Sequence, residues 1–138
     1  MMKIVLDTQA MQTIALFERM SGAHVKDCIP NEEQIVFIVN EGEIAKAIGK
    51  GGRNIRDLEH MLKRRVKVIE FNLDLTLFIQ NVVAPIELRE VRAEDDVYFM
   101  DAKDLKSRGL LIGRGASNLR FFESIVKRYF PIKELRVV

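Results

Sequence analysis

The chain has 138 residues, 48% of them hydrophobic, enough apolar material for one medium-sized core or two small ones, and so predicts a globular protein. It has no uncharged apolar run of about 18 residues and no amino-terminal signal-peptide pattern, which excludes a membrane-spanning class and predicts a soluble, cytoplasmic protein with no membrane partner. A net charge of +2 excludes a polycationic tail, and the single cysteine, Cys28, excludes an internal disulfide.

Taken in chain order, Asp7 or Thr8 can cap a helix whose apolar positions Ala10, Ile14 and Phe17 recur at helical spacing, and Gly22 stands where that helix should stop. Residues 24–29 and 34–39 have strand composition and are split by Pro30, Asn31, Glu32 and Glu33, which is turn chemistry. Asn40 is placed to cap a short helix ending at Ile48. After a run of glycines, Ile55, Leu58 and Leu62 form a 3,4 apolar stripe, the mark of a second helix facing the core. Residues 66–71 close the unit as a strand.

The order then begins again. Asn72 or Asp74 opens a helix through Val83, stopped by Pro85. Residues 86–91 and 96–100 read as strands, 102–111 as a helix, 117–129 as a helix with Leu119, Phe122, Val126 and Tyr129 inward, and 133–137 as a last strand. Each unit runs helix, strand, strand, helix, Gly-rich turn, helix, strand, which predicts an α+β class: an α/β sandwich in each unit, with a three-stranded sheet covered by helices. No Gly, Ser or Pro linker separates residues 1–71 from 72–138, so two directly joined domains with a fixed mutual orientation are expected.

Sliding the sequence by 64 residues aligns IGKGGRNIRDLEHMLKR (48–64) with IGRGASNLRFFESIVKR (112–128). Eight of the seventeen positions are identical, beginning with Ile48, Gly49, Gly51, Asn54 and Arg56 against Ile112, Gly113, Gly115, Asn118 and Arg120, and ending with Glu59, Lys63 and Arg64 against Glu123, Lys127 and Arg128. Chance gives about one such identity for a window of this length at ordinary composition, so the two halves read as a duplication. Upstream, VFIVN (36–40) matches VYFMD (97–101) at an offset of 61. Three residues, about one helical turn, have therefore been added to the helix before the second glycine turn.

Charge follows the same repeat. Residues 46–67 carry eight basic residues against Asp57 and Glu59, and residues 103–120 carry five against Asp104, whereas Ile86–Asp101 has six acids and two arginines. Two basic islands of like layout point to two like sites. A turn of the form GxxG between two helices lets a phosphate approach the backbone, because no side chain holds it off, while the following helix aims its free N–H groups at the same point. Lys50 and Arg53 add charge there, and the flanking apolar residues make a floor for bases.

The run IGKGGRNI closely resembles the signature of KH domains, whose turn clamps about four backbone nucleotides of single-stranded nucleic acid. A helix and two strands ahead of the signature resemble the type II, or prokaryotic, topology, and two such units without a linker resemble the RNA-binding core of the NusA family of transcription factors in its compact archaeal form. The resemblance implies two tandem type II KH domains, at 1–71 and 72–138, that bind single-stranded RNA. It implies RNA contacts from Lys46, Ile48, Gly49, Lys50, Gly51, Gly52, Arg53, Asn54, Ile55, Arg56, Lys67 and Val68 in the first unit. In the second unit the corresponding residues are Ile112, Gly113, Arg114, Gly115, Ala116, Asn118 and Arg120. It further implies a role in transcription elongation, termination or antitermination, with RNA polymerase as a further partner. The second turn, GRGA, departs from the pattern at Ala116, where a methyl group at the start of a helix is expected to be sterically mild.

Enzyme readings fail on particular residues. A phosphate-binding P-loop needs a glycine where Ile44 stands and Ser or Thr where Gly51 stands. His24 and His60 lie in different elements with no serine nucleophile motif, and Glu94, Asp95 and Asp96 fall in a strand-to-strand turn where solvated charge accounts for them. His24 and Cys28 supply two of the four ligands of a structural zinc site. No catalytic activity, metal or cofactor is expected. The competing reading is a protein-interaction adaptor that docks on RNA polymerase or the ribosome and keeps the fold as a scaffold. Sequence alone leaves base preference and oligomeric state open.

Overall fold

A computed structural model describes residues 7–138; the first six residues of the predicted first domain lie outside the described residues. The chain divides into two compact units that meet between Asn72 and Leu73.

In the first unit, α1 (Thr8–Ser21) starts at Asp7, whose carboxylate accepts from the Ala10 N–H at 2.7 Å, and ends at Gly22 in the left-handed region (φ 75°). β1 (Val25–Pro30) and β2 (Gln34–Val39) pair antiparallel, and Asn31 closes the connection by accepting from Glu33 N–H at 2.8 Å. β3 (Arg65–Glu70) pairs parallel with β2, giving the order β1-β2-β3. Parallel neighbours need a crossover connection. Here α2 (Ile44–Ile48), the glycine turn and α3 (Arg53–Leu62) supply it, and both helices pack on β3. The turn thus sits midway along the crossover, beside the edge strand. Strand alternation sends Ile35, Phe37 and Val39 to the helical face, where they pack with Phe17, Ala47 and Leu58. The Phe17 and Phe37 rings meet edge to face at 4.7 Å.

The second unit repeats this arrangement with α4 (Leu75–Val83), β4 (Leu88–Glu94), β5 (Val97–Ala102), α5 (Leu105–Ile112), α6 (Ser117–Lys127) and β6 (Glu134–Val137), in the sheet order β4-β5-β6 with β5 and β6 parallel. Asp74 caps α4 and Asp104 caps α5. α5 has eight residues where α2 has five, which accounts for the shift in repeat offset.

Several boundaries differ from expectation: Pro30 ends β1 instead of opening the turn, α6 stops at Lys127, and other strand ends move by one residue. Asn40 does not cap α2: its carbonyl accepts from Glu43 N–H at 3.0 Å, so residues 40–43 form a turn and the helix begins at Ile44. β4 begins at Leu88 and runs to Glu94, not over 86–91, because as the outer strand its side chains are mostly exposed and a register shift between Leu88 and Glu90 hides the alternation. β5 continues through Ala102, since Lys103 and Asp104 form the entry to α5. The β4–β5 hairpin turns at Asp95 and Asp96, both at positive φ (51° and 65°), in the manner of a two-residue primed turn.

Candidate nucleic-acid interface

The first turn is built by its own residues. Gly49 (φ 79°) lies against Asn54, and a Cβ there would stand 2.8 Å from the Asn54 side chain, so only glycine fits. Asn54 uses that space to donate from Nδ2 to the Lys46 carbonyl at 3.0 Å, fastening the last turn of α2 to the start of α3. Gly51 (φ 62°) and Gly52 (φ 77°) are both left-handed, the region where L-residues are strained. A Cβ on Gly51 would meet nothing within 4 Å, so the tip of the turn is open. Inside the turn, Gly49 N–H bonds the Ala45 carbonyl, Gly52 N–H the Gly49 carbonyl and Arg53 N–H the Lys50 carbonyl. Among the described residues, the N–H groups of Lys50 and Gly51 are the ones left at the tip. The Lys50 side chain is exposed beside them.

The second turn has the same frame. A Cβ on Gly113 would stand 2.7 Å from the Asn118 side chain, whose Nδ2 donates to the Leu110 carbonyl at 2.8 Å. Gly115 (φ 60°) is open, with exposed Arg114 beside it. The expectation for Ala116 fails: it is not at an ordinary helix-start conformation but in the left-handed region (φ 64°, ψ 21°), where its methyl group meets its own backbone.

The other expected residues divide by location. Ile48 and Ile55 are half-buried on either side of the first turn, as Ile112 is beside the second. Lys46 leans away from the tip: its ammonium is 3.6 Å from Glu43 and its chain passes Gly22. A hydrogen bond with His24 lowers the pKa of the Glu43 carboxyl. Arg53 is exposed, 3.7 Å from Asp57. Arg56 donates to the Gly51 carbonyl, whereas Arg120 donates to Glu123 at 2.9 Å and lies 3.8 Å from Glu134. Lys67 and Val68 face opposite sides of β3. Val68 packs into the core under the helices, and Lys67, its neighbour in the strand, faces the opposite side of the sheet, where burial lowers its pKa to about 8.

One repeated pair has a role that the sequence reading left unassigned. Glu59 in α3 accepts from Val66 N–H at 2.9 Å, and Glu123 in α6 accepts from Leu135 N–H at 2.9 Å, so each carboxylate ties the helix after a turn to the edge strand beside it. Partial burial pushes the Glu123 pKa up, but the Leu135 N–H, Lys127 and Arg120 together outweigh it and hold the carboxyl below its ordinary value. The signal was in plain view, since Glu59 and Glu123 are among the eight identities.

Among the described residues no helix is long and apolar enough to cross a membrane, and no group of three or more His, Cys, Asp or Glu could hold a metal ion.

The KH domain family model matches residues 12–93. The chain is 35% identical over 141 residues to a protein of Methanocaldococcus jannaschii and 36% identical over 140 residues to one of Methanococcus vannielii, both named probable transcription termination protein NusA. These alignments take in 100% and 99% of this chain, and 77% and 81% of the relatives. A protein of Halobacterium salinarum with the same name is 30% identical over 138 residues, covering 99% of both chains. Among solved structures, one described as "Crystal structure of APE1850" superposes with a TM-score of 0.76 over 96% of this chain and 100% of that one, at 24% identity, a likeness of fold alone.

Proposed function

The chain belongs to the KH domain family and to its NusA-like archaeal members, and from that premise we propose that it is a non-catalytic protein that binds single-stranded RNA through both glycine turns and acts in transcription termination or elongation, with RNA polymerase as a further partner. The observation that carries this reading is the first turn. Its tip is open at Gly51, offers the N–H groups of Lys50 and Gly51, and has a lysine beside them with no ion pair or side-chain hydrogen bond among the described residues. That is the chemistry a phosphodiester needs: two short donors and one mobile cation.

The second unit is read as a second type II KH domain because it repeats the element order, the sheet order and the Gly113–Asn118 fastening. On this reading the domains are residues 1–71 and 72–138, and the phosphate-facing residues are Lys50, Gly51, Gly52 and Arg53 with Arg114, Gly115 and Ala116. Asn54 and Asn118 hold the turns, and the half-buried Ile48, Ile55 and Ile112 line the way to them.

Binding of a fluorescently labelled single-stranded RNA and of a duplex of equal length, across a salt series, tests the proposal. We expect the single strand to bind more tightly, and the logarithm of affinity to fall with log salt by about 0.7 for each phosphate neutralised, about 3 to 4 in all for roughly five phosphates. Lys50→Asp with Gly51→Asp should remove most of the affinity. The fold should survive, because both side chains point into open space and Asp tolerates the left-handed conformation better than most residues. A salt slope near zero, or normal binding by a folded double variant, would rule out the turn and favour a protein-docking scaffold.

A further inference from the structure

Both turns are followed by an arginine at the same place, the fourth residue of the next helix, yet the two side chains do different things. Arg56 folds back over Gly52 and donates to the Gly51 carbonyl. The fit is close: a Cβ on Gly52 would stand 3.4 Å from Arg56 Nη1. In the second unit that position is Ala116, and Arg120 is held by Glu123 and Glu134 instead. Glu134 has no acidic counterpart in the first unit. Val66 and Leu135 both give their N–H to the repeated glutamate, which aligns Arg65 with Glu134. The first unit therefore has a glycine that makes room for the arginine and, at the position of Glu134, an arginine in place of the carboxylate. The second has a methyl group that takes the room and a carboxylate that draws the arginine off.

The peptide between Gly51 and Gly52 is flanked by two residues without side chains, and besides Arg56 only the 3.1 Å bond from Gly52 N–H to the Gly49 carbonyl restrains it, so its carbonyl side is the freer part of the turn. Rotation would turn its carbonyl, a partial negative charge, toward an incoming phosphate. We propose that Arg56 is a positioning residue that locks this peptide by holding the Gly51 carbonyl, and that the second turn is restrained at the matching peptide by the Ala116 methyl group, without help from Arg120. The inference rests on the RNA-binding reading for its purpose, but the lock itself can be measured without RNA.

In the full chain, amide exchange and ¹⁵N relaxation of residues 50–53 and 114–117 read the order of the two tips. Arg56→Ala should speed exchange and raise mobility at 50–53, and Gly52→Ala added to Arg56→Ala should return the tip toward its original order, because a methyl group then replaces the arginine as the restraint. Arg120→Ala should leave 114–117 as they were. An unchanged first tip in Arg56→Ala, a double variant as mobile as the single, or a second tip loosened equally by Arg120→Ala would each overturn the lock. With a ten-nucleotide single-stranded RNA, Arg56→Ala should weaken binding roughly three- to tenfold, the equivalent of re-ordering one or two backbone torsions, with the salt slope unchanged. A slope lower by about 0.7 would mean that Arg56 itself neutralises a phosphate, and would overturn the positioning role. If the unaltered chain bound no RNA, the proposed function would fall while the tip measurements still decided the lock.

Discussion

Replacing Ala116 with glycine should stabilise the second unit. At φ 64° and ψ 21° the alanine occupies the left-handed region, which costs an L-residue about 1–2 kcal/mol relative to its right-handed form. Glycine removes that strain, but it also gives the unfolded chain more freedom, which returns about 0.4–1 kcal/mol. Taken at the middle of both ranges, the net gain is about 0.8 kcal/mol. For a unit of this size that corresponds to a rise in melting temperature of roughly 3–6 °C, or about half as much if the two units unfold together. Urea denaturation followed by circular dichroism should show a higher midpoint with an unchanged slope. The mirror substitution, Gly52→Ala, supplies the internal control: it should cost about as much as Ala116→Gly gains, since the new methyl group would take the same left-handed strain and only touch Arg56 at 3.4 Å. If Ala116→Gly lowered the midpoint, the methyl group would be contributing packing that outweighs its backbone strain, and the account of the second turn would be wrong.

Two further expectations concern pH and burial. The Glu123 carboxyl is held below its ordinary pKa in the folded state, so its contribution is fully present above about pH 4.5 and is lost as pH falls through the lower folded value. Melting curves between pH 5 and pH 3 should therefore fall more steeply for the original chain than for Glu123→Gln, and parallel curves would remove the carboxylate from the account. Lys67 has the opposite sign of effect. Its folded pKa of about 8 lies below the unfolded 10.5, so the folded state binds fewer protons in that window and stability should rise with pH across it. Lys67→Met should raise the melting temperature at pH 7 and flatten that rise, and a lower melting temperature at pH 7 would show that the charged form is favourably held.

Much of the fold was legible because local signals agreed with one another. Asn31–Glu33 separates β1 and β2, with Pro30, expected in the turn, closing β1 instead. Asp7 and Asp74 cap the helices that follow them. The errors fell where tertiary context decides: β4 is an outer strand whose exposed charged residues carry little alternation, and Asn40 turns the chain rather than capping a helix. In the candidate site, the sequence marks the two turns but cannot give a dihedral angle, so Ala116 looked mild. Arg56 and Arg120 are identical letters at matched positions. Their different partners depend on residue 52 or 116, four positions earlier, and on Arg65 or Glu134, which only the folded sheet brings alongside. Lys67 and Val68 are neighbours in sequence and are separated by the plane of the sheet.

The fastening of each turn also bears on how the duplication has been free to drift. Asn54 reaches back eight residues to Lys46, Glu59 reaches forward seven to Val66, and the second copy keeps both bridges with Leu110 and Leu135 as the far ends. Every one of these acceptors and donors at the far ends is a backbone atom, indifferent to the side chain that carries it. The segment from the first glycine to the glutamate is therefore a cassette that carries its own anchors and asks only for a helix end behind it and a strand edge ahead. Present twice, it has lysine at one tip and arginine at the other, and glycine or alanine beside them, while the flanking sequences differ. A chimera with residues 48–64 in place of 112–128 should find its seat already cut.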